Sequence, residues 1–179
     1  MNFSELIKLR QSDRKYDATR KVSRELLLQC LEAARVAPSA CNSQPWHFVV
    51  VDDPETLPAM AGAAAGMGMN KFAAQAPVIV AVVLEKMNFT ARIGSVIKDK
   101  EYRLLDVGIA VEHFCLQAAE LGLGTCILGW FNEKEVANTI GVKNHRIPLL
   151  ITVGYSEAHT REKSRKSIDQ IVSWNKYDK

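Results

Sequence analysis

The sequence predicts a protein that combines α-helices with β-strands. Two observations support this fold class. Apolar residues recur at helical spacing over residues 24–36 and 102–121. Apolar runs rich in β-branched residues, which are typical of buried strands, cover residues 47–51, 78–84 and 147–155. The run at 78–84 is almost continuously apolar, so we expect that strand to be buried on both of its faces.

Length and composition are those of an ordinary globular protein. The 179 residues are 47% apolar and 24% charged, so we expect a single domain over residues 1–179. A formal net charge of +3 does not favour nucleic-acid binding. We find no signal-peptide pattern and no apolar run of membrane-spanning length, so we expect a cytoplasmic protein without a membrane partner. The four cysteines and four histidines lack metal-ligand spacing, so we expect reduced thiols and no metal.

Short polar residues mark where helices are predicted to begin. We expect Ser4, Ser23 and Asp53 to cap the first three helices, because their side chains can accept hydrogen bonds from free backbone N–H groups. The helix over residues 102–121 carries apolar residues nearly all round. It is therefore predicted to be the central buried helix, and Gly122 is predicted to end it.

A polar loop lies between Pro38 and Pro45, where a helix gives way to a strand. Both prolines fix φ and lack a backbone donor, and each favours an extended residue before it. We therefore predict a fixed, extended loop. Its hydrogen-bonding side chains are Ser39, Asn42, Ser43 and Gln44. Loops held between rigid elements often carry binding groups, although these residues alone are equally consistent with an ordinary connection.

Positive charge is concentrated near the two ends of the chain. The polar segment after the first helix is predicted to be extended, and alternate residues of an extended chain share a face. Arg10, Ser12 and Arg14 are then expected to point the same way, and Lys163 and Arg165 repeat the arrangement. If both ends meet in the fold, they form an anion site suited to phosphate. The alternative is two solvated basic surfaces.

Two segments are harder to assign. Residues 85–100 have a mixed pattern that fits a mobile segment or a lid. The C-terminal tail is too apolar to remain free, so we expect it to dock on the body of the protein or on a second subunit. Its apolar residues are Ile168, Ile171, Val172 and Trp174.

Taken in chain order, these motifs resemble those of the nitroreductase family of FMN-dependent oxidoreductases. Residues 10–14 resemble the family's N-terminal flavin-binding motif. Residues 38–46 resemble its proline-flanked central loop, which is the most specific of the motifs. Residues 106–110 and 121–129 are similar to its core helix and glycine-rich turn, and residues 163–165 resemble its C-terminal basic pair.

The resemblance implies an α+β fold of three layers, α-β-α, with a mixed and mainly antiparallel sheet. It also implies a homodimer that exchanges its C-terminal segments and holds one FMN in each of two interface sites. The central loop is then expected to reach the flavin from one subunit and the basic motifs from the other. The cofactor-binding residues carried over from the family are Arg10, Gln11, Ser12, Arg14, Pro38, Ser39, Ala40, Asn42, Asn70, Lys71, Leu128, Gly129, Lys163 and Arg165.

The resemblance also implies a role for several of these residues. Arg14 is the first candidate for the cation near flavin N1 and O2, Lys71 is the second, and Asn70 is an alternative to Lys71. The backbone at Leu128 and Gly129 is expected to face the N5 and O4 edge. The expected phosphate-binding side chains are Arg10, Ser12, Lys163 and Arg165.

The implied activity is an FMN-dependent oxidoreductase with a ping-pong mechanism. NADH or NADPH is the expected electron donor, and a nitroaromatic or a quinone is the expected small-molecule acceptor. We expect no catalytic side chain, because the flavin carries the redox chemistry. The alternative is a flavin-binding storage or sensor protein with little turnover. A thiol-dependent or nucleic-acid-binding protein is disfavoured, because no redox cysteine pair is present and the basic residues are not interleaved with aromatics.

Overall fold

A computed structural model of the protein describes residues 1–88, 90–91 and 100–177. The lid hypothesis for residues 85–100 therefore falls largely outside the described residues. The helices are α1 (Phe3–Leu9), α2 (Arg24–Arg35), α3 (Leu57–Ala64), α4 (Tyr102–Glu120) and α5 (Glu133–Thr139). The strands are β1 (Trp46–Val51), β2 (Val78–Leu84), β3 (Gly124–Leu128) and β4 (Arg146–Gly154).

The strands form one four-stranded sheet in the order β1-β2-β4-β3. Every pair of neighbouring strands in this sheet is antiparallel. The parallel pairing that the structure shows is an isolated bridge between Ser12 and Thr125. All of β2 is buried, which confirms the prediction of a strand covered on both faces. The predicted α+β fold class is also confirmed.

Helices cover both faces of the sheet, so the molecule has the three layers that were predicted. Helices α2 and α4 pack on one face, and the alternate β2 residues Val78, Val80 and Val82 point into that core. Helix α3 and helix α5 cover the opposite face, which receives Ile79, Ala81 and Val83. Side chains alternate because successive Cβ atoms of a strand point to opposite faces.

The starts of the first two helices follow the capping rules, but not always with the predicted residue. Ser23 caps α2 as predicted, since its side chain accepts a hydrogen bond from Leu26 N–H. The prediction that Ser4 caps α1 is wrong. Asn2 is the cap, because its amide oxygen accepts from Glu5 N–H at 3.0 Å while the Glu5 carboxylate accepts from Asn2 N–H at 3.0 Å. This reciprocal pair satisfies two free donors at once.

The prediction that Asp53 caps the third helix is also wrong. Asp53 Oδ2 accepts a hydrogen bond from Thr56 N–H at 2.8 Å, which closes a turn before the helix. Helix α3 begins after that turn, at Leu57, with Thr56 in the capping position. An aspartate followed by proline favours a turn as strongly as a helix start, so the local signal does not separate the two.

Helix α4 is only partly the buried helix that was predicted. Its inner face is buried around Phe114, and Gly122 ends it at φ +75°, as expected. Its outer face exposes three large apolar side chains, which retain 48%, 60% and 40% of their surface at Leu104, Leu105 and Ile109. The prediction of burial all round is therefore wrong for a single chain.

The segment after α1 is extended, as predicted, and it crosses the ends of β3 and β4. Asp13 N–H donates to Thr125 O at 2.8 Å. The buried Tyr16 hydroxyl donates to Asp13 O at 2.8 Å and lies 2.7 Å from Thr152 Oγ1. Glycine is required beside this crossing, because a Cβ atom at Gly154 would lie 3.0 Å from the Tyr16 ring. The segment is thus anchored by buried hydrogen bonds.

We expect Tyr16→Phe to lower the free energy of unfolding by about 1–3 kcal/mol, because it leaves buried acceptors without their donor. Burial raises the pKa of Tyr16, so the folded protein keeps the phenol neutral. Wild-type stability then falls above a pH of about 10, where the unfolded tyrosine ionises. The variant should lose stability less steeply in that range. Urea unfolding between neutral and alkaline pH measures both effects.

Tyr177→Phe is the matched control, since the Tyr177 side chain is exposed. Equal stability of the two variants at neutral pH would contradict the anchoring role of Tyr16.

Candidate functional site

The two basic segments of the sequence meet in the fold. They form a cleft with a volume of about 290 Å³, which we call the basic cleft. The lining residues are Arg10, Gln11, Ser12, Arg14, Arg161, Glu162, Lys163, Ser164 and Arg165. Six of the fourteen residues predicted for the site therefore share one cavity, and the alternative of two separate basic surfaces is not what the structure shows.

Gln11 fastens the two segments to each other. Its Nε2 donates to Asp13 Oδ1 at 2.9 Å and to His159 O at 3.3 Å. Its Oε1 accepts a hydrogen bond from Arg161 N–H at 3.0 Å. Ser156 Oγ completes the arrangement by donating to Asp13 Oδ1 at 2.6 Å. The amide of Gln11 thus positions the cleft, with both of its ends used by protein groups.

The charges in the basic cleft are crowded. Arg10 Nε lies 3.2 Å from Glu112 Oε1, yet this buried nitrogen has no hydrogen-bond acceptor among the described residues. The Lys163 ammonium donates to Lys8 O. Burial lowers the pKa of Lys163, and the positive charges of Arg10 and Arg165 lower it further. Cations that repel one another in this way favour the binding of an anion.

The donors in the basic cleft match a phosphate monoester. Guanidinium groups offer planar pairs of N–H donors, an ammonium offers a compact charge, and a hydroxyl adds a neutral donor. The unmatched Nε–H of Arg10 needs an acceptor of the kind that phosphate oxygens provide. The residues present therefore fit the phosphate end of a flavin mononucleotide.

The proline-flanked loop is fixed, but it is not extended as predicted. Residues Ala40–Asn42 form a turn of 3₁₀-helix. Three residues adopt positive φ angles, which are 51° at Cys41, 51° at Asn42 and 46° at Gln44. Such angles are uncommon outside glycine and persist where the surroundings fix them.

Hydrogen bonds to side chains inside and outside this loop hold its turn in place. Ala40 N–H donates to both carboxylate oxygens of Asp106, at 3.1 and 3.2 Å. Gln44 N–H donates to Ser39 Oγ at 2.9 Å, and Asn88 Nδ2 donates to Cys41 O at 2.8 Å. Asp106 is buried on α4, so the loop is tied to that helix. Sequence reasoning missed this role, although a carboxylate on an apolar helix face was a visible signal.

A third group of predicted residues lies at the end of β3. Leu128 is the last residue of that strand, and Gly129 follows it in an exposed position. Asn70 Nδ2 donates to Trp130 O at 2.6 Å, so its side chain is fastened to this turn. Lys71 is exposed and lines a different, shallow cavity on α3. Of the two alternatives, Asn70 is the one bonded to the turn after β3.

The described residues contain little that favours another kind of site. Over residues 1–88, 90–91 and 100–177, no helix is long and apolar enough to cross a membrane, and no group of three or more His, Cys, Asp or Glu is placed to hold a metal. Cys30 and Cys115 are buried, and burial raises the pKa of each thiol to about 12. Such thiols are poor nucleophiles at neutral pH.

A family model and a curated relative both match most of this chain. The model of the Nitroreductase family matches residues 7–155. An oxygen-insensitive NADPH nitroreductase of Helicobacter pylori is 26% identical over an alignment of 199 positions, gaps included, which covers 95% of each chain.

Solved structures agree with this match over nearly the whole chain. A crystal structure of a nitroreductase family protein from Clostridium difficile 630 has a TM-score of 0.81 and 27% identity, and the match covers 99% of this chain and 100% of that one. An FMN-dependent nitroreductase from Clostridium difficile R20291 has a TM-score of 0.77 and 27% identity, over 96% and 98% of the two chains. The resemblance that the motifs predict is confirmed, and this chain belongs to the nitroreductase family.

Proposed function

We propose that the protein is an FMN-dependent oxidoreductase that carries electrons from NADH or NADPH to an electron-poor acceptor such as a nitroaromatic or a quinone. The observation that carries this proposal is the basic cleft, in which the two predicted phosphate-binding motifs meet. When bound, FMN supplies the redox chemistry by accepting and passing on reducing equivalents. The name of the Clostridium difficile R20291 relative supports the same cofactor.

The basic cleft is proposed to hold the FMN phosphate. A phosphate monoester carries close to two negative charges at neutral pH. Lys163 and Arg165 offset them from the C-terminal side and Arg10 from the N-terminal side, where Ser12 adds a neutral hydroxyl donor. Hydrogen bonds between charged groups are stronger than neutral ones, so this end of the cofactor is expected to dominate its affinity.

Two other groups of residues are proposed to face the flavin ring. Arg14 lines the basic cleft beside Ser12, and we assign it to the N1–O2 edge, where its positive charge favours an electron-rich ring. The backbone at Leu128 and Gly129 is assigned to the N5–O4 edge. Asn70 orients that turn through its hydrogen bond to Trp130 O.

A homodimer with exchanged C-terminal segments is the proposed functional form. The outer face of α4 leaves Leu105 and Ile109 exposed, and exposed patches of this kind mark interfaces. The tail also leaves its apolar side chains uncovered, with Trp174 at 85% of its surface. The proline-flanked loop is tied to α4 at Asp106, beside that exposed face. This arrangement supports a site that takes its loop from one subunit and its basic cleft from the other.

A flavin-binding storage or sensor protein remains the second candidate, because it needs the same basic cleft. A cytoplasmic location is part of the proposal. It is supported by the exposed free thiol of Cys41, which is typical of a reducing compartment.

We expect the purified protein to bind FMN and its visible flavin absorption to bleach under anaerobic NADH or NADPH, because the cofactor carries the redox step. Absorption spectra before and after each donor are the measurement, and free FMN with the same donors is the control. A yellow protein that does not bleach favours the storage or sensor function. A protein that binds no FMN contradicts both flavin hypotheses.

We expect Lys163→Gln to raise the Kd for FMN ten- to hundredfold, because a hydrogen bond to a charged group is worth about 1.5–3 kcal/mol. Flavin fluorescence titration measures the Kd. Lys166→Gln is the matched control, since Lys166 is exposed in the same segment and does not line the basic cleft. An equal effect of the two variants would refute the assignment of Lys163 to the phosphate.

We expect the wild-type protein to have twice the mass of the chain in size-exclusion chromatography with light scattering. Leu105→Glu combined with Ile109→Glu should shift it to a monomer, because burying two carboxylates in an interface is unfavourable. Asn138→Glu on α5, across the sheet from α4, should leave the dimer intact. A wild-type monomer would show that the proposed dimer is wrong.

A further inference from the structure

Arg161 holds the N-terminal segment at two points, although no matched family motif includes it. Its main-chain N–H donates to Gln11 Oε1 at 3.0 Å. Its guanidinium Nη2 donates to Ser12 O at 2.7 Å. One residue therefore fixes both the side chain that joins the two segments and the backbone of the predicted phosphate-binding serine.

Among the described residues, no carboxylate is shown in an ion pair with Arg161. In the part of the chain that the structure describes, its guanidinium is bonded to a backbone carbonyl, which leaves the positive charge uncompensated. Arg10 differs, because Glu112 lies 3.2 Å from it. Arg161 also lines the basic cleft alongside Lys163 and Arg165.

The geometry of a guanidinium group makes this contact directional. The group is planar and carries five N–H donors in a rigid fork. A hydrogen bond from Nη2 to Ser12 O restricts the plane of the fork, in a side chain that lines the basic cleft. An ordered fork loses less entropy on binding an anion than a free side chain does.

We propose that Arg161 is a further phosphate-binding and positioning residue of the basic cleft, which orients Ser12 and Gln11 and adds to the protein's preference for FMN over riboflavin. This inference rests on the proposed function, because it assumes that the cleft takes the phosphate of FMN. Riboflavin has the same ring and lacks the phosphate, so contacts made by Arg161 contribute only to the binding of FMN.

The test compares Arg161→Gln, Arg161→Lys and the matched control Lys166→Gln. Fluorescence titration gives the Kd of each protein for FMN and for riboflavin, at low and at moderate salt. We expect Arg161→Gln to raise the Kd for FMN at least tenfold and to leave the Kd for riboflavin within twofold of wild type. The Kd of Arg161→Lys for FMN should lie between those of wild type and Arg161→Gln, since lysine keeps the positive charge and lacks the planar set of donors. Lys166→Gln should match wild type.

Two outcomes would overturn the inference. In the first, Arg161→Gln weakens FMN and riboflavin by the same factor, which indicates a purely structural role. In the second, it weakens neither ligand. A wild-type protein that binds neither flavin refutes the proposed function instead. The inference about Arg161 is then tested by measuring Tm with and without inorganic phosphate. Phosphate should raise the Tm of wild type and of Lys166→Gln but not that of Arg161→Gln. An equal rise in all three proteins would overturn it.

Discussion

The candidate site depends on how the segment after α1 is anchored across the end of the sheet. Asp13 N–H bonds to Thr125 O, and the Tyr16 hydroxyl bonds back to Asp13 O. Because the chain is extended there, burying Asp13 turns Ser12 and Arg14 toward the other side. The direction of the predicted phosphate-binding side chains is thus a consequence of one buried backbone and side-chain network.

The same network reaches the C-terminal half of the site. Asp13 accepts hydrogen bonds from Gln11 and from Ser156, and Gln11 in turn accepts the N–H of Arg161. Buried polar groups need partners, so each of these contacts constrains the next. The sheet end needs close packing as well, because a Cβ atom at Gly124 would lie 2.9 Å from Asp13 Oδ2. The shape of the basic cleft is therefore determined by buried hydrogen bonds and close packing at the end of the sheet.

Periodicity in the sequence was sufficient to predict three of the four strands, the two longest helices and the shared direction of the basic side chains, because these depend on local geometry. Strand β3 was not predicted, because its residues follow Gly122 in a stretch that was interpreted as a glycine-rich turn. Other features depend on partners that are remote in sequence. The proline-flanked loop turns because Asp106 accepts the N–H of Ala40 across 66 residues. Helix α4 carries apolar residues on its outer face as well, and the periodicity of apolar residues does not say whether such a face is covered. The bond that ties Asn70 to the turn after β3 depends on the carbonyl of Trp130, 60 residues away.

The basic cleft joins residues 10–14 to residues 161–165, which lie near opposite ends of the chain. All four strands of the described sheet precede residue 155, so strand pairing does not involve the C-terminal half of the basic cleft. A chain that ended after β4 would keep every strand of that sheet and would lack the cations of Lys163 and Arg165.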